Sequence, residues 1–283
     1  MSPNPLSVLV FGASSQVGHC LLPLLAAQGA CVTAVSRSPQ PASDGVHWLR
    51  GSLPDHVQGN FDHIEAIACF APMDALAAWL VRTPLPSLKC VVATSSMSAE
   101  SKRESPVPLE REVAQRLRAG ESAVARACEA PGVAWTILRP TLIYGVGRDR
   151  SLTPLAQRAM HTRVFVLPSG RGLRQPVHAE DLAIAVLAAL RTPQAAGRII
   201  AIGGGERLRA SEMFARVRAS LSVHTLPLPL PHFAARAAMH VLPSLRGPLS
   251  RLNVDLIADN AELESLLDVH PRGFAPDANA WQP

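Results

Sequence analysis

The chain has 283 residues, 48% of them hydrophobic and 17% charged, with a mean hydropathy of +0.16. That composition fills a sizeable core and excludes a disordered or fibrous chain. The formal charge is +5, yet nearly all the basic residues are scattered arginines and aromatics reach only 4%. Stacking platforms are therefore scarce, nucleic acid is not the expected partner, and anionic small molecules are. The five cysteines, Cys20, Cys31, Cys69, Cys90 and Cys128, form no CxxC pair and have no clustered histidines. This pattern points to a reducing compartment and to no disulfide framework or metal site. No basic segment precedes the first apolar stretch, and no run of about 20 apolar residues occurs. The expectation is a cytoplasmic chain with no transmembrane span, a monomer or homodimer.

In chain order, Ser7–Phe11 reads as a short buried strand, and Ser15–Gln28 as a helix that Gly29 ends. Cys31–Val35, Val46–Leu49, Ile64–Ala68, Leu88–Ala93 and Ala134–Leu138 read as further strands, with helices at Met73–Val81 and Leu109–Glu129 between them. Apolar runs in place of polar alternation, interleaved with helices, predict a parallel sheet covered on both faces. The fold class is thus α/β, a Rossmann-type doubly wound sheet over residues 1–140. After Pro140 the rhythm loosens into a helix at Leu152–His161, an extended piece at Val164–Leu167, a helix at Ala179–Leu190 and a strand at Arg198–Ile202. Residues 141–283 read as a smaller substrate lobe interleaved with the first domain. The segment from Leu226 through alternating prolines to an apolar helical stretch near Leu242 has three readings: lobe core, a lining for an apolar substrate, or a membrane-surface contact.

Between the first strand and its helix lies Gly12-Ala13-Ser14-Ser15-Gln16-Val17-Gly18. A chain leaving a strand for a helix within so few residues favours glycine, which takes positive φ without strain. The N–H groups at the helix start then face an anion, and the helix dipole favours negative charge there. The turn predicts a dinucleotide site in which Gly12, Ser14, Ser15, Gln16, Val17 and Gly18 hold a pyrophosphate. After the second strand, an NAD site usually carries an acid for the ribose 2′-OH. Here the chain reads Val35-Ser36-Arg37-Ser38. Arg37 and Ser38 suit the extra phosphate of NADP, the alternative for Arg37 being a solvated loop position.

These features resemble the short-chain dehydrogenase/reductase superfamily, in its extended or atypical NAD(P)-dependent epimerase/dehydratase-like group, over nearly the whole chain. The glycine turn is similar to the group's GAxGxxG with Ser15 replacing the middle glycine. Val91-Val92-Ala93-Thr94-Ser95-Ser96 is similar to the fifth strand with its Ser/Thr-rich catalytic segment. Leu138 to Gly145 resembles the RPxxxYG element, and Arg174 to Asp181 the lobe segment RxxVHxxD. The resemblance implies that Ser95 and Pro140 lie along the cofactor, that Ser96 keeps the catalytic Ser/Thr position, and that Arg174 and His178 are on the substrate side. An Arg fork at the position of Arg174 suits a diphosphate, although a surface ion pair is an equal alternative. Glu180 and Asp181 are explained as helix-start acids.

One departure is large. The family's acid/base is a Tyr with a Lys four residues later, on the helix after the fifth strand. In this chain that helix, Glu112 to Glu121, has neither residue, and the single tyrosine is Tyr144 of the RPxxxYG element. Substitutes for the missing pair are Ser96, Ser98, Lys102, Glu121 and His178, each with a structural alternative, because loop lysines and helix glutamates are usually solvated. Two functions follow: an NADP(H)-dependent oxidoreductase or epimerase-like enzyme on a small or nucleotide-linked substrate, or a non-catalytic NADP(H)-binding sensor or accessory protein.

Overall fold

A computed structural model describes residues 5–230 and 251–282 of the chain. β1 (Ser7–Phe11) is buried along its whole length, as a strand covered on both faces must be. The turn Gly12–Ser15 leads into α1 (Gln16–Ala27), where Ser15 is the N-cap, and Gly29 takes φ +70° just past the helix end. β2 (Cys31–Ser36) and β3 (Val46–Arg50) then extend the sheet on one side of β1. β4 (Ala66–Cys69) pairs with the other side of β1, followed by α2 (Met73–Arg82) and β5 (Cys90–Thr94). The expected strands at Ile64 and Leu88 begin later because Ile64 N donates to Phe61 O (3.0 Å) and Leu88 N to Leu85 O (3.1 Å), closing turns before the ladder starts.

The short α3 (Ser98–Ser101), the long α4 (Pro108–Glu129) and β6 (Ala134–Pro140) complete the first block. The lobe contributes β7 (Ile143–Tyr144), α5 (Thr153–Thr162), β8 (Val164–Pro168), β9 (Leu173–Arg174) and β10 (Val177–His178). It continues with α6 (Ala179–Ala189), β11 (Arg198–Ile202), β12 (Leu208–Arg209), α7 (Ala210–Ala219), β13 (Leu226–Leu230) and α8 (Ala261–Leu267).

The main sheet has seven parallel strands in the order β11-β6-β5-β4-β1-β2-β3. Successive strands β3 and β4 lie on opposite sides of β1, so the chain reverses its winding at β1/β4, the place where doubly wound sheets bind ligands beyond their carboxyl ends. One face carries α1 and α6, packed through Leu21, Leu25, Leu182 and Val186; the other carries α2 and α4 through Leu76, Trp79, Val124 and Cys128. Because α6 and β11 join this layer, the blocks before and after residue 140 interleave. A third cluster, with Tyr144, Phe165, Phe214, Phe274 and Trp281, is the core of the lobe.

The proline-rich run at Leu226 forms an edge strand. β13 pairs in parallel with β8, and Leu226 N donates to Arg163 O (2.8 Å). In a parallel ladder alternate N–H groups point to opposite sides, so Pro227 and Pro229 face away from β8, where no donor is needed. The expected continuation of this run toward Leu242 lies, beyond Leu230, outside the described residues. No described helix is long and apolar enough to cross a membrane. All five cysteines are free thiols, and burial pushes those of Cys69 and Cys128 up to about 12, which leaves them unreactive small hydrophobes.

Candidate dinucleotide and substrate site

The carboxyl ends of β1, β2, β4, β5 and β6 open on one edge of the sheet, and most of the residues singled out from sequence are brought there. Gly12 takes φ +69°, and a Cβ on it would stand 3.1 Å from the backbone carbon of Phe70, just past β4. A Cβ on Gly18 would stand 2.4 Å from the carbonyl oxygen of Ala13, so the first helical turn folds directly against the turn before it. Ser15, in place of the family's middle glycine, caps α1, its hydroxyl accepting from Gly18 N (3.2 Å). The N–H groups of Gln16 and Val17 are the remaining donors of that first turn, and no acid stands in it. Val17 is buried, and Gln16 keeps its side-chain carbonyl buried without a hydrogen-bond partner among the described residues.

The end of β2 is tied to the turn. Ser36 Oγ donates to Ser14 Oγ (3.4 Å) and accepts from Ser38 N (3.3 Å) and Gln40 Nε2 (3.2 Å). Arg37 projects beside it, and with Arg50, Gly51, Ser52 and His56 it lines a cavity of about 340 Å³. Arg50 is the strand partner of Ser36 in register, so the two guanidiniums flank one hollow at the ends of adjacent strands. Sequence reasoning missed Arg50 and His56, although Arg50 stands at the end of β3 much as Arg37 stands past the end of β2. A larger hollow, about 630 Å³ and lined by Ser7, Glu65 and Lys89, opens at the amino ends of the strands, the edge where this fold does not bind cofactor.

At the end of β5, Thr94 Oγ1 is buried with no hydrogen-bond partner among the described residues. Ser95 N donates to Leu138 O (2.8 Å) and Met97 N to Pro140 O (2.8 Å), so the ends of β5 and β6 stay zipped together. Ser96 Oγ accepts from Ser98 N (3.1 Å), which turns the chain into α3. Ser95 Oγ donates to Glu121 Oε1 (2.5 Å). The same carboxylate takes the Arg139 fork, Nε at 2.8 Å on Oε1 and Nη2 on Oε2, while Arg139 Nη1 reaches Glu100 (2.7 Å). Glu121 is 2% exposed, and its hydrogen bond raises the Arg139 pKa further. Instead of standing in solvent on the helix, Glu121 joins α4, β5 and β6 in one ion-paired network.

The titratable groups at the site divide sharply. Tyr144 is buried and T-stacked on His178 and Phe274, and burial pushes its hydroxyl up to about 12. His178 is the N-cap of α6: its Nδ1 accepts from Glu180 N (3.2 Å), which fixes the neutral ring, and burial followed by the nearby Arg272 lowers its pKa. Glu180 and Asp181 both pair with Arg272 at 2.8 Å. Arg174 is buried, and its Nη atoms donate to the carbonyls of Leu173, Val254 and Arg251 at 2.8, 2.7 and 2.6 Å. Lys102, at the end of α3, is half-buried; burial, then Arg251, lowers its pKa. Arg251 Nε lies 3.0 Å from Glu110, which also accepts from Ser105 Oγ (2.7 Å). On α4, the half-buried positions between Glu110 and Glu121 are Val113 and Leu117, neither able to exchange a proton.

A sequence model of the NAD dependent epimerase/dehydratase family matches residues 88–203, which span β5 to β11. No curated protein matches the chain by sequence. Among solved structures, the chain is similar to UDP-glucuronic acid 4-epimerase from Bacillus cereus in complex with NAD, at 16% identity and a TM-score of 0.71, with 97% of each chain covered. It is also similar to UDP-N-acetylglucosamine 4-epimerase from Bacillus cereus, at 14% identity and a TM-score of 0.67, over 98% of this chain and 94% of that one. A third is UDP-glucose 4-epimerase from Thermotoga maritima with UDP-glucose, at 15% identity and 0.68, over 94% of each chain. The fold is therefore that of the nucleotide-sugar epimerases, and the resemblance to the epimerase/dehydratase group of the superfamily holds. The family match starts after the glycine turn, so that turn stands on its own geometry.

Proposed function

We propose that the chain is an NADP(H)-binding enzyme of the epimerase/dehydratase type, acting on a small or nucleotide-linked substrate. The observation that carries this reading is the turn at the β1/β4 switch point, with the Arg37–Arg50 hollow on the same edge of the sheet. The residues suit the cofactor. A close-packed glycine turn presents the N–H groups of Gln16 and Val17 to a pyrophosphate, beside Ser14 and Ser15. Two guanidiniums and Ser38 face the ribose, where a 2′-phosphate takes charge-assisted bonds and an acid is absent. Ser95 and Pro140 hold the strand ends along which the nicotinamide half lies. When bound, the nicotinamide supplies hydride transfer.

On the substrate side, Ser96 offers a hydroxyl to a reacting oxygen, and Lys102 is the titratable candidate whose ammonium has no ion-pair partner among the described residues. Arg174 and His178 act from behind, each fixing a wall of the lobe through the backbone bonds described above. Five free thiols accord with a reducing, cytoplasmic setting.

A second reading, a non-catalytic NADP(H)-binding sensor or accessory protein, is favoured by one observation. α4 offers no Tyr or Lys, and Tyr144 and Glu121 are both buried and committed elsewhere. Fluorescence titration with NADPH and NADH tests the cofactor. The expected result is tighter NADPH binding, with Arg37→Ala or Arg50→Ala each removing about tenfold or more of the preference, the effect of losing one charge-assisted bond. Equal affinities would reject NADP. Steady NADPH oxidation or epimer formation with any of a panel of UDP-sugars would favour the enzyme, and its absence across the panel the sensor.

A further inference from the structure

Arg148 lies outside every motif read from the sequence, yet its Nη1 donates to the carbonyl oxygen of Ser14, 3.1 Å away, inside the glycine turn. The contact joins the lobe to the dinucleotide turn across 134 residues of chain. Its backbone is placed with unusual care. Gly145, Val146 and Gly147 take φ of +100°, +53° and +59° in succession, an unfavourable conformation for a β-branched valine. Gly147 N is then pinned to Ala280 O (2.9 Å). On the other side, the Asp149 carboxylate, buried, accepts from the N–H groups of Ser151, Leu152 and Thr153 at 2.8, 2.6 and 3.2 Å, just ahead of and at the start of α5. Arg148 is thus held between a constrained turn and a locked helix start.

No acid stands in the first turn of α1 to compensate the charge at this point. The titratable group that senses Arg148 there is another base, His19, whose pKa is lowered by burial and then by the guanidinium. One guanidinium donor is used on the Ser14 carbonyl, which orients the fork; an arginine carries five. The contact at Ser14 brings the guanidinium to the turn that runs, two residues on, into the N–H of Gln16 at the start of α1. A positive helix end and a guanidinium hydrogen-bonded inside the turn that precedes it suit an anion there.

We propose that Arg148 is a cofactor-binding residue, a clamp from the lobe that closes over the pyrophosphate of the bound dinucleotide. This inference rests on the dinucleotide reading, but not on the choice between NAD and NADP, because both carry the pyrophosphate.

The test is equilibrium binding of NADPH, NADH and adenosine 2′-monophosphate to the wild-type chain and to Arg148→Ala and Arg148→Lys, each checked for an unchanged thermal midpoint. Arg148→Ala should weaken NADPH and NADH alike by about 10- to 100-fold, the range for losing hydrogen bonds to a charged group. Adenosine 2′-monophosphate, which lacks the pyrophosphate, should bind as before; if the wild-type chain takes NADH but not this ligand, the change in NADH affinity alone reads the clamp. Arg148→Lys keeps the charge without the fork and should recover part of the loss. Wild-type binding with Arg148→Ala unchanged, or with all three ligands weakened equally, would overturn the clamp and leave the dinucleotide reading standing. A wild-type chain that binds none of the three would overturn both.

Discussion

Removing the Glu121 carboxylate is the sharpest test of how the ends of β5 and β6 are held against α4. Glu121 has its side chain 3% exposed and Arg139 14%, so the pair lies out of bulk water. Its carboxylate accepts three bonds, two from the Arg139 fork and one from Ser95. In Glu121→Ala, Arg139 keeps only Glu100, whose side chain is 42% exposed. Breaking a buried ion pair from one side costs about 3–5 kcal/mol, because the remaining charge is left desolvated. Glu121→Gln keeps the volume and one acceptor, and the loss should be about 1.5–3 kcal/mol, the value of hydrogen bonds to a charged group. Replacing both partners, Glu121→Leu with Arg139→Met, should recover much of the alanine loss, since no unpaired charge remains. Urea unfolding followed by circular dichroism reads all four proteins. The network's structural role fails if Glu121→Ala unfolds at the wild-type midpoint, or if the double variant is no better than Glu121→Ala. If Glu121→Gln keeps its stability but loses turnover, the carboxylate is part of the chemistry instead.

Ser15→Ala should cost about 1 kcal/mol by uncapping α1, whereas Ser15→Gly should cost only a few tenths; equal losses in urea unfolding would reject the cap. For His178, burial and Arg272 lower the pKa below the unfolded value of 6.5, so folding favours the neutral ring. The unfolded chain then binds more protons, and the stability contributed is full above 6.5 and is lost as pH falls through the lower folded value. His178→Asn, which also caps, should flatten the fall in urea midpoint below that pH, and an unaltered slope would exclude His178 as its source.

The part of the site nearest the start of the chain was legible because it is local. A buried apolar strand, a glycine that must take positive φ and a helix beginning at once leave one geometry for residues 7 to 27, and Arg37 follows directly on the next strand. Glu121 was half legible. Treated as one more helix acid it is expected in water, but it falls in register with Ala114, Leu117, Val124 and Cys128, the stripe that faces the sheet. An acid in that stripe requires a buried cation, and Arg139 supplies it. Arg174 invites a fork-on-diphosphate reading because nothing nearby in sequence foretells the carbonyls of residues 251 and 254 that surround it. Arg148 had no local signal at all, since its meaning depends on how the lobe docks on the sheet.

The proposed cofactor binding and any acid/base chemistry would rest on different kinds of structure in this chain. The proposed dinucleotide site is made chiefly from backbone: a turn, the N–H groups of a helix start and the ends of parallel strands. Such a site tolerates a change like serine for the middle glycine, because Ser15 supplies a cap where glycine would supply clearance. Acid/base chemistry depends on one side chain of the right pKa at one point. Where α4 carries Val113 and Leu117, no backbone feature can replace that side chain. With no Tyr or Lys on α4, a chain that uses the proposed cofactor edge must draw any proton it moves from another side chain. Lys102, at the end of α3, has a depressed pKa and no ion-pair partner among the described residues, and is one such candidate. Turnover that is present in the wild-type chain and lost in Lys102→Met, with NADPH binding intact, would mark Lys102 as the relocated proton carrier; turnover that persists would reject that role.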